Sequence, residues 1–472
     1  MRYISTRGRA PALDFEGVTL AGLASDGGLY VPDRWPQLAP AEIATFARLS
    51  YVELATRIMG EFVGDAIPED DLANLVAGAY AGFDDPRITP LVELGDNEWM
   101  LELHHGPTLA FKDLALQVLG RLFDYFLGRR GERITIVGAT SGDTGSAAIE
   151  ACRDRGTVEI FMLHPKGRVS DVQRRQMTTV HAANVHNIAI EGTFDDCQAL
   201  VKALFADRKF RAERKLAAVN SINWARIAVQ IVYYFHAAAA LGAPEKAASF
   251  SVPSGNFGDV FAGYAASRMG LAIRRLVVAT NVNDILDRAL RTGVYQIGEV
   301  CETISPSMDI QVSSNFERLL FELHDRNGTA IAGLMGDLAT DGCFQIGSGP
   351  LEEARSLFAS CRVDEDQTVR EINRFYRKHG VPVDPHTAVG IVAGRAHRRD
   401  PGSGLERGDD CPLIFLSTAH PAKFPDAVQH ACGATFAIPE RLAAVMKGRE
   451  KFSELPGDIE GLKAFIRENS VV

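Results

Sequence analysis

The sequence has no apolar segment typical of a membrane protein and no cysteine pattern typical of a secreted one. No stretch approaches the ~18 uninterrupted apolar residues that a membrane-spanning helix needs. The opening residues, MRYISTRGRAPALDF, have no apolar run behind their basic residues, so we expect no secretory signal. The seven cysteines are scattered and form no CxxC pair, which indicates a reducing compartment. We therefore expect a cytoplasmic protein without a membrane partner.

Several catalytic and metal-binding motifs are also absent. The sequence contains no HExxH, no GxSxG and no cysteine–histidine spacing typical of zinc. The adjacent His104 and His105 complete no recognised ligand pattern, so we predict a structural role for them and no metal site. The net charge of −10 argues against a nucleic-acid partner. It does not exclude small anions, which bind at local groups of backbone N–H donors.

Strand-like and helix-like segments alternate along most of the chain. The 472 residues, 46% of them hydrophobic and 23% charged, are typical of a soluble globular protein with several cores. Short apolar runs occupy residues 133–138, 158–163, 250–252, 276–279 and 413–416, with helical spacing between them. This alternation predicts an α/β fold with mainly parallel sheets. Ligands of such folds bind at the carboxyl ends of the strands.

Two glycine-rich turns fall at predicted strand ends. Residues 139–146 read ATSGDTGS and residues 253–259 read PSGNFGD. Glycines let the backbone approach an anion closely, and a following helix offers unpaired N–H groups. The first turn is neither a Walker A loop, since its lysine is missing, nor a GxGxxG motif. Together the turns could hold two anions, or one anion and one carboxylate; the alternative is that both are merely capped turns.

Lys112 and Thr418 are the other candidate functional residues. Lys112 lies between Phe111 and Asp113, where a helix is predicted to begin. The helix dipole and an apolar neighbour both lower a lysine pKa and favour the neutral amine that forms Schiff bases. Thr418 follows a predicted strand, and its hydroxyl could bond a ring nitrogen. The alternatives are an ordinary solvated lysine and an ordinary capping threonine.

Four segments in this order resemble the threonine synthases of the longer bacterial and fungal branch. They are HHGPTLAFKDLALQ, GATSGDTGSAA, VPSGNFGD and LSTAHPAKF, and YISTRG, DGGLYVP, HPKGRVS and NSINWAR fit the same branch. That family consists of fold-type-II pyridoxal 5′-phosphate (PLP) enzymes of the tryptophan-synthase-β-like architecture. The resemblance implies two open parallel-sheet domains with helices on both faces, plus a helical N-terminal region.

The resemblance also implies a division of the chain. Residues 1–95 would form the mostly helical N-terminal region, residues 96–220 a smaller PLP and substrate domain, and residues 221–472 a larger PLP domain. The N-terminal region is expected either to stand apart or to pack into the larger domain.

The implied reaction is that of a lyase in threonine biosynthesis, which converts O-phospho-L-homoserine and water to L-threonine and phosphate. Lys112 would form a Schiff base with PLP, and Thr418 would face the pyridine nitrogen. The residues that would cradle the PLP phosphate are Gly255, Asn256, Phe257, Gly258 and Asp259. The residues that would hold the substrate carboxylate are Ser141, Gly142, Asp143 and Thr144. The candidates for the substrate phosphate are Lys166, Arg168, Arg226 and Lys423.

Two other functions stay open at this point. A PLP-dependent serine or threonine dehydratase would share the lysine and both glycine-rich turns, but it would not need a second anion site. The other alternative is a catalytically idle relative that binds a phosphorylated metabolite. Such a protein would be free to lose Lys112, so the presence of this lysine argues against it. A monomer and a homodimer both fit the sequence.

Overall fold

Two open sheets carry the fold of this computed structural model, which describes residues 1–140, 142–400, 411–433 and 437–472. The six strands of the larger sheet lie in the order Phe358–Arg362, Ile273–Thr280, Ala248–Pro253, Leu413–Ser417, Glu98–Glu102 and Leu91–Gly95. The five strands of the smaller sheet lie in the order Ser453–Pro456, Val185–Glu191, Val158–Pro165, Ile134–Ala139 and Leu216–Ala217. The predicted α/β class is confirmed.

Parallel pairing dominates both sheets, with one exception at an edge. Every neighbouring pair of the smaller sheet is parallel, and so are the pairs of the larger sheet up to Glu98–Glu102. Leu91–Gly95 pairs antiparallel with Glu98–Glu102. The cause is the two-residue connection, because so short a loop can join only antiparallel strands. Asp96 and Asn97 both have a φ of 56°, a conformation that short polar residues tolerate in hairpin turns.

Helices cover the sheets and form most of the N-terminal region. Two small antiparallel pairs accompany them, Tyr3–Ser5 with Tyr30–Pro32 and Val294–Gln296 with Cys343–Gln345. In chain order, the α-helices of the described residues are Phe15–Ala21, Pro40–Ile43, Tyr51–Val63, Glu69–Tyr80, Lys112–Arg130, Asp143–Cys152, Asp171–Thr178, Phe194–Ala206, Arg208–Glu213, Trp224–Ala240, Gly258–Arg268, Ile285–Thr292, Phe316–Leu323, Gly328–Asp341, Ser348–Leu357, Glu365–His379, Pro385–Arg399, Pro425–Cys432, Glu440–Lys447 and Ile459–Asn469. Among the described residues, no helix is long and apolar enough to cross a membrane.

The N-terminal helices share a core with the buried helix Trp224–Ala240. Helix Tyr51–Val63 starts with a capping box between Ser50 and Glu53, which satisfies two otherwise unpaired backbone donors. Its apolar residues recur at helical spacing and are buried, and the ring of Phe62 lies 5.6 Å from that of Trp224. The N-terminal region therefore packs against this helix.

Strand pairing crosses the expected boundaries at residues 96–220 and 221–472 in two places. Glu98–Glu102 pairs with Leu413–Ser417 in the larger sheet, and the late strand Ser453–Pro456 pairs with Val185–Glu191 in the smaller one. Local periodicity cannot reveal such pairings, because they depend on contacts between segments far apart in the chain. The three-domain division itself stays a prediction.

The strand ends bring the candidate residues to one place. Ile134–Ala139 leads into the first glycine-rich turn and helix Asp143–Cys152, and Ala248–Pro253 leads into the second turn and helix Gly258–Arg268. The two strands belong to different sheets. Residues of both turns nevertheless line one pocket, so the carboxyl ends of these strands face a common cleft.

A close approach of two helices sets the spacing of Lys112 and Asp143, which begin them. A Cβ built on Gly120 would lie 2.3 Å from the carbonyl oxygen of Ala151, so only glycine fits between helix Lys112–Arg130 and helix Asp143–Cys152 at this separation.

We expect Gly120→Ala to lower the free energy of unfolding by ~1–3 kcal/mol, because overpacking forces these helices apart. Gly128→Ala on the same helix is the matched control, since a Cβ there meets nothing within 4 Å and alanine favours helix by up to ~1 kcal/mol. Urea unfolding would measure both. Equal stability of the Gly120 variant and the parent would contradict the close-packing argument.

Candidate active site

Lys112 is buried at the start of helix Lys112–Arg130. The residue is only 9% exposed, and its Nζ donates a hydrogen bond to Ser307 Oγ at 3.3 Å. The nearest carboxylate oxygen, Oδ2 of Asp143, lies 3.7 Å from Nζ. The Phe111 ring lies 5.3 Å below the amine. Within the part of the chain that the structure describes, Lys112 Nζ therefore has one hydrogen bond, and the amine is otherwise shielded from water.

This environment lowers the pKa of Lys112. Burial is the main cause, the charge of Asp143 opposes it, and the positive charges of Lys423 and Arg226 lower the pKa further. A lysine in such surroundings holds a larger share of neutral amine than one in water, and the neutral form is the nucleophile.

Asp143 pairs more closely with Lys423 than with Lys112. Lys423 is fully buried, and its Nζ lies 3.0 Å from Asp143 Oδ1 while donating to the Thr108 carbonyl at 2.7 Å. Gln173 Nε2 donates to the same carboxylate oxygen at 2.9 Å. Burial raises the pKa of Asp143, but Lys423 and Lys112 outweigh it and hold that pKa far below its usual range. The carboxylate is therefore ionised and its charge is largely taken up by Lys423.

The first glycine-rich turn presents the start of helix Asp143–Cys152 to the cleft. Thr140 Oγ1 accepts the backbone N–H groups of Gly142 and Gly145, both at 2.9 Å. Gly142 has a φ of 147°, and a Cβ there would meet the Gln173 side chain at 2.4 Å, so glycine is required. Asp143 and Thr144 line the same pocket as Lys112. Ser141, named with them from the sequence, lies outside the described residues.

The second glycine-rich turn surrounds the far end of that pocket. Gly255, Asn256, Phe257, Gly258 and Asp259 all line it, and helix Gly258–Arg268 begins there with its N-terminus towards the cleft. A Cβ on Gly255 would lie 2.7 Å from the Ser307 carbonyl oxygen. Phe257 takes a φ of 60°, which turns the chain sharply into the helix. The turn thus packs directly against Ser307, and the helix that follows it begins at the pocket.

The carboxyl group of Asp259 is engaged by tyrosines. Tyr233 and Tyr234 donate their hydroxyls to Oδ1 at 2.5 Å and 2.9 Å. Burial raises the pKa of Asp259 to about 6, although these hydrogen bonds oppose the rise. The expected contact with a phosphate can therefore come only from the backbone of Asp259, because its negative side chain would repel one.

Arg226 is a buried cation without an anion. It is 4% exposed, lines the pocket beside Lys112 and the second turn, and its Nε and Nη1 have no hydrogen-bond partner among the described residues. Burial lowers its pKa to about 10, so it stays charged at neutral pH. Burying an unpaired guanidinium is costly unless a ligand supplies the counter-charge.

The other basic candidates occupy different surroundings. Lys166 is exposed and bonds Glu454 at 2.7 Å, and Arg168 is also exposed. Both follow strand Val158–Pro165, and neither lines the described pocket. Lys423 is already paired with Asp143. Of the four basic candidates named from the sequence, only Arg226 lines the described pocket.

Thr418 lies where the sequence placed it, directly after strand Leu413–Ser417. It is buried and lines the pocket. Its carbonyl oxygen accepts the backbone N–H of Phe111 at 2.8 Å, which ties this strand end to the segment carrying Lys112.

Sequence reasoning missed Ser307 and His386, which also line the pocket. Ser307 lies in the short 3-10 turn Pro306–Met308, a segment with neither glycine-rich pattern nor helical spacing. His386 follows the Asp-Pro pair that starts helix Pro385–Arg399. That pair signals a helix start but gives no sign of a functional role.

Comparison with known families first defines the class. Residues 83–407 match the family described as "Pyridoxal-phosphate dependent enzyme", which is more than half of the chain. The protein is thus a PLP-dependent enzyme with the corresponding α/β fold. Residues 2–80 match "Threonine synthase N terminus" and residues 387–466 match "Threonine synthase, C-terminal".

Relatives and solved structures then define the family. The chain is 53% identical over 470 residues to threonine synthase of Pseudomonas aeruginosa, covering 99% of this chain and 98% of the relative. It is 44% identical over 508 residues to that of Saccharomyces cerevisiae, covering 99% and 97%. The PLP-bound threonine synthase of Brucella melitensis superposes with a TM-score of 0.96 at 50% identity, covering 100% of each chain. This chain belongs to the threonine synthase family.

The residues present fit the cofactor of this class. The phosphate of PLP would meet the helix N-terminus at the second turn, whose residues from Gly255 to Asp259 all line the pocket. The aldehyde needs a buried amine, which Lys112 supplies.

Replacing Lys423 by methionine should raise the pKa of Lys112, because Asp143 would then have Lys112 as its nearest cation. The share of neutral amine at a given pH would fall. We expect the rate at which PLP bonds Lys112 in the apoprotein to reach its maximum at higher pH than in the parent. Stopped-flow absorbance across pH would measure this.

Lys166→Met is the matched control, since that exposed lysine pairs with Glu454 outside the pocket. An unchanged pH profile in Lys423→Met would show that Lys423 does not govern the amine.

Proposed function

We propose that this enzyme converts O-phospho-L-homoserine and water to L-threonine and phosphate. The observation that carries the proposal is the composition of one pocket. It contains the buried Lys112, the second glycine-rich turn at the start of helix Gly258–Arg268, and the unpaired cation Arg226. With the PLP phosphate at the second turn, a substrate carboxylate at the start of helix Asp143–Cys152 and a substrate phosphate at Arg226 would supply the remaining anions. A dehydratase substrate has no phosphate and would leave Arg226 without an anion.

The second turn and Thr418 would hold the cofactor. The backbone N–H groups of Gly255, Asn256, Phe257, Gly258 and Asp259 would surround its phosphate, and the Thr418 hydroxyl would face its ring nitrogen. PLP, when bound, supplies an aldehyde that condenses with an amine. Its ring withdraws electrons from the substrate carbon that carries this amine. A neutral hydroxyl at the ring nitrogen adds no negative charge there, whereas an aspartate would.

The first turn would bind the substrate carboxylate. The helix that starts at Asp143 directs backbone N–H groups and the positive end of its dipole into the cleft. The N–H groups of Gly142 and Gly145 are taken by Thr140, so those of Asp143 and Thr144 are the available donors. The Asp143 side chain has a different task, since its charge is balanced by Lys423.

Arg226 is the residue we assign to the substrate phosphate. Its guanidinium can give two parallel hydrogen bonds to phosphate oxygens, and it has no competing anion among the described residues. Lys423 lacks this freedom because of Asp143, and Lys166 and Arg168 lie outside the described pocket.

Lys112 would also move protons once the substrate amine replaces it. Its lowered pKa suits a base that takes the proton from Cα and returns protons to neighbouring carbons. Burial around the amine keeps bulk water from quenching that exchange. We further infer that the enzyme works in the cytoplasm, as a monomer or homodimer and without a membrane partner. Its net charge of −10 supports the absence of a nucleic-acid partner.

Lys112→Ala should abolish steady-state turnover of O-phospho-L-homoserine, a loss on the order of 10³-fold or more. It should also remove the visible absorbance band of the cofactor Schiff base. Lys166→Ala should keep both. The assay is phosphate release together with threonine formation, which should be equal in amount. Substantial turnover without Lys112 would remove it from the central role, and dehydratase activity without phosphate release would redirect the substrate assignment.

Arg226→Met should weaken substrate binding by about 10-fold to 100-fold, as expected for losing a charge-assisted contact. The effect should fall on KM for O-phospho-L-homoserine, while the dissociation constant of PLP stays near the parent value. Arg226→Lys should recover part of the loss. Weaker PLP binding with an unchanged KM would instead assign Arg226 to the cofactor phosphate.

A further inference from the structure

Ser307 stands between the two charged groups of the site. Its Oγ donates to Asp143 Oδ2 at 3.0 Å and accepts from Lys112 Nζ at 3.3 Å. Because the hydroxyl proton is directed to the carboxylate, a lone pair of Oγ is left facing the amine. Lys112 is thereby given a preferred direction that the longer 3.7 Å contact to Asp143 would not supply.

A buried histidine holds Ser307 in this position. The backbone N–H of Ser307 donates to His386 Nε2 at 3.1 Å, so that nitrogen carries no proton. The other ring nitrogen, Nδ1, donates to Asp384 Oδ1 at 2.9 Å. Asp384 is fully buried and also accepts the backbone N–H of His386 at 2.9 Å. The carboxylate therefore fixes both the tautomer and the orientation of the ring.

The turn that carries Ser307 also packs against the second glycine-rich turn and limits the size of the residue at position 255. A Cβ added to Gly255 would lie only 2.7 Å from the carbonyl oxygen of Ser307, which is too close for a carbon atom. The far side of the turn is anchored through Asp309, which accepts from Asn281 Nδ2 and Thr303 Oγ1, both at 2.7 Å. A shift of this turn would thus move the partner of Lys112 and the wall of the cofactor cradle together.

We propose that Ser307 is a positioning residue for Lys112, and that Asp384 and His386 act through it by holding the turn Pro306–Met308. This inference rests on the proposed function, since it assumes that Lys112 is the reacting amine. Ser307 shares its hydroxyl between the carboxylate of Asp143 and the amine of Lys112, so it contacts the reacting group directly. Its role is to aim the amine when the cofactor or substrate bond is exchanged.

The test compares Ser307→Ala with Ser307→Thr, which keeps the hydroxyl. In Ser307→Ala we expect kcat to fall about 10-fold to 100-fold, with KM for O-phospho-L-homoserine changed far less, because misplacing a reacting group costs rate rather than binding. Ser307→Thr should recover most of kcat. Ser348→Ala, at an exposed helix start, is the matched control and should behave like the parent.

A second measurement separates this inference from the proposed reaction. The rate at which added PLP bonds Lys112 in the full-length apoprotein needs no substrate, and it should fall in Ser307→Ala by a factor similar to that for kcat. If the parent fails to turn over O-phospho-L-homoserine but this rate still depends on the hydroxyl, the proposed substrate is wrong and the positioning role stands. Equal rates in the parent and Ser307→Ala would overturn the positioning role.

The histidine provides an independent pair of variants, which also serves if Ser307→Ala does not fold. His386→Leu removes the acceptor for the Ser307 N–H, whereas His386→Gln can offer an amide oxygen in its place. We expect slow bonding of PLP in the first variant and partial recovery in the second. Parent-like rates in both, or equal loss in both, would overturn the role of His386.

Discussion

The buried ion pair between Asp143 and Lys423 is the interaction on which the rest of the site depends. Removing one member of such a pair costs ~3–5 kcal/mol, because the other charge is left without compensation. Here the pair joins the helix that starts at Asp143 to the segment after strand Leu413–Ser417. It also leaves Lys112 as the weaker partner of the carboxylate, so that a reactive amine can exist beside a negative charge. The ion pair therefore both anchors the start of that helix and limits the hold of Asp143 on Lys112.

Local chemistry made much of this arrangement predictable. Glycine-rich turns between strands and helices, and a lysine at a helix start, follow from neighbouring residues. The sequence therefore predicted the turn at residues 253–259 between a strand and a helix, the helix that begins at Lys112 and the strand before Thr418. The α/β class followed from the alternation of apolar runs. The roles of these residues remain proposals, but their convergence on one pocket is what the sequence led us to expect.

What escaped prediction depends on contacts between distant segments. Ser307 lies 195 residues from Lys112 in the chain, and no periodicity links them. The four basic candidates looked alike in sequence, yet one is exposed beside Glu454, one is paired with Asp143 and one is a buried cation without a partner. Charge alone gives no information about the partner, and the partner decides whether a basic residue is free to bind a ligand. The antiparallel edge strand likewise depended on a two-residue loop rather than on strand composition.

The pairing of Ser453–Pro456 with Val185–Glu191 has a consequence for synthesis of the protein on the ribosome. More than half of the chain must be translated between these two strands. During that interval the edge of the smaller sheet has unpaired backbone groups, and such edges favour association with other chains. The first half of the protein therefore emerges with strand Val185–Glu191 at an uncovered edge, which only the last segment pairs with, so chaperone binding during translation would be most useful there.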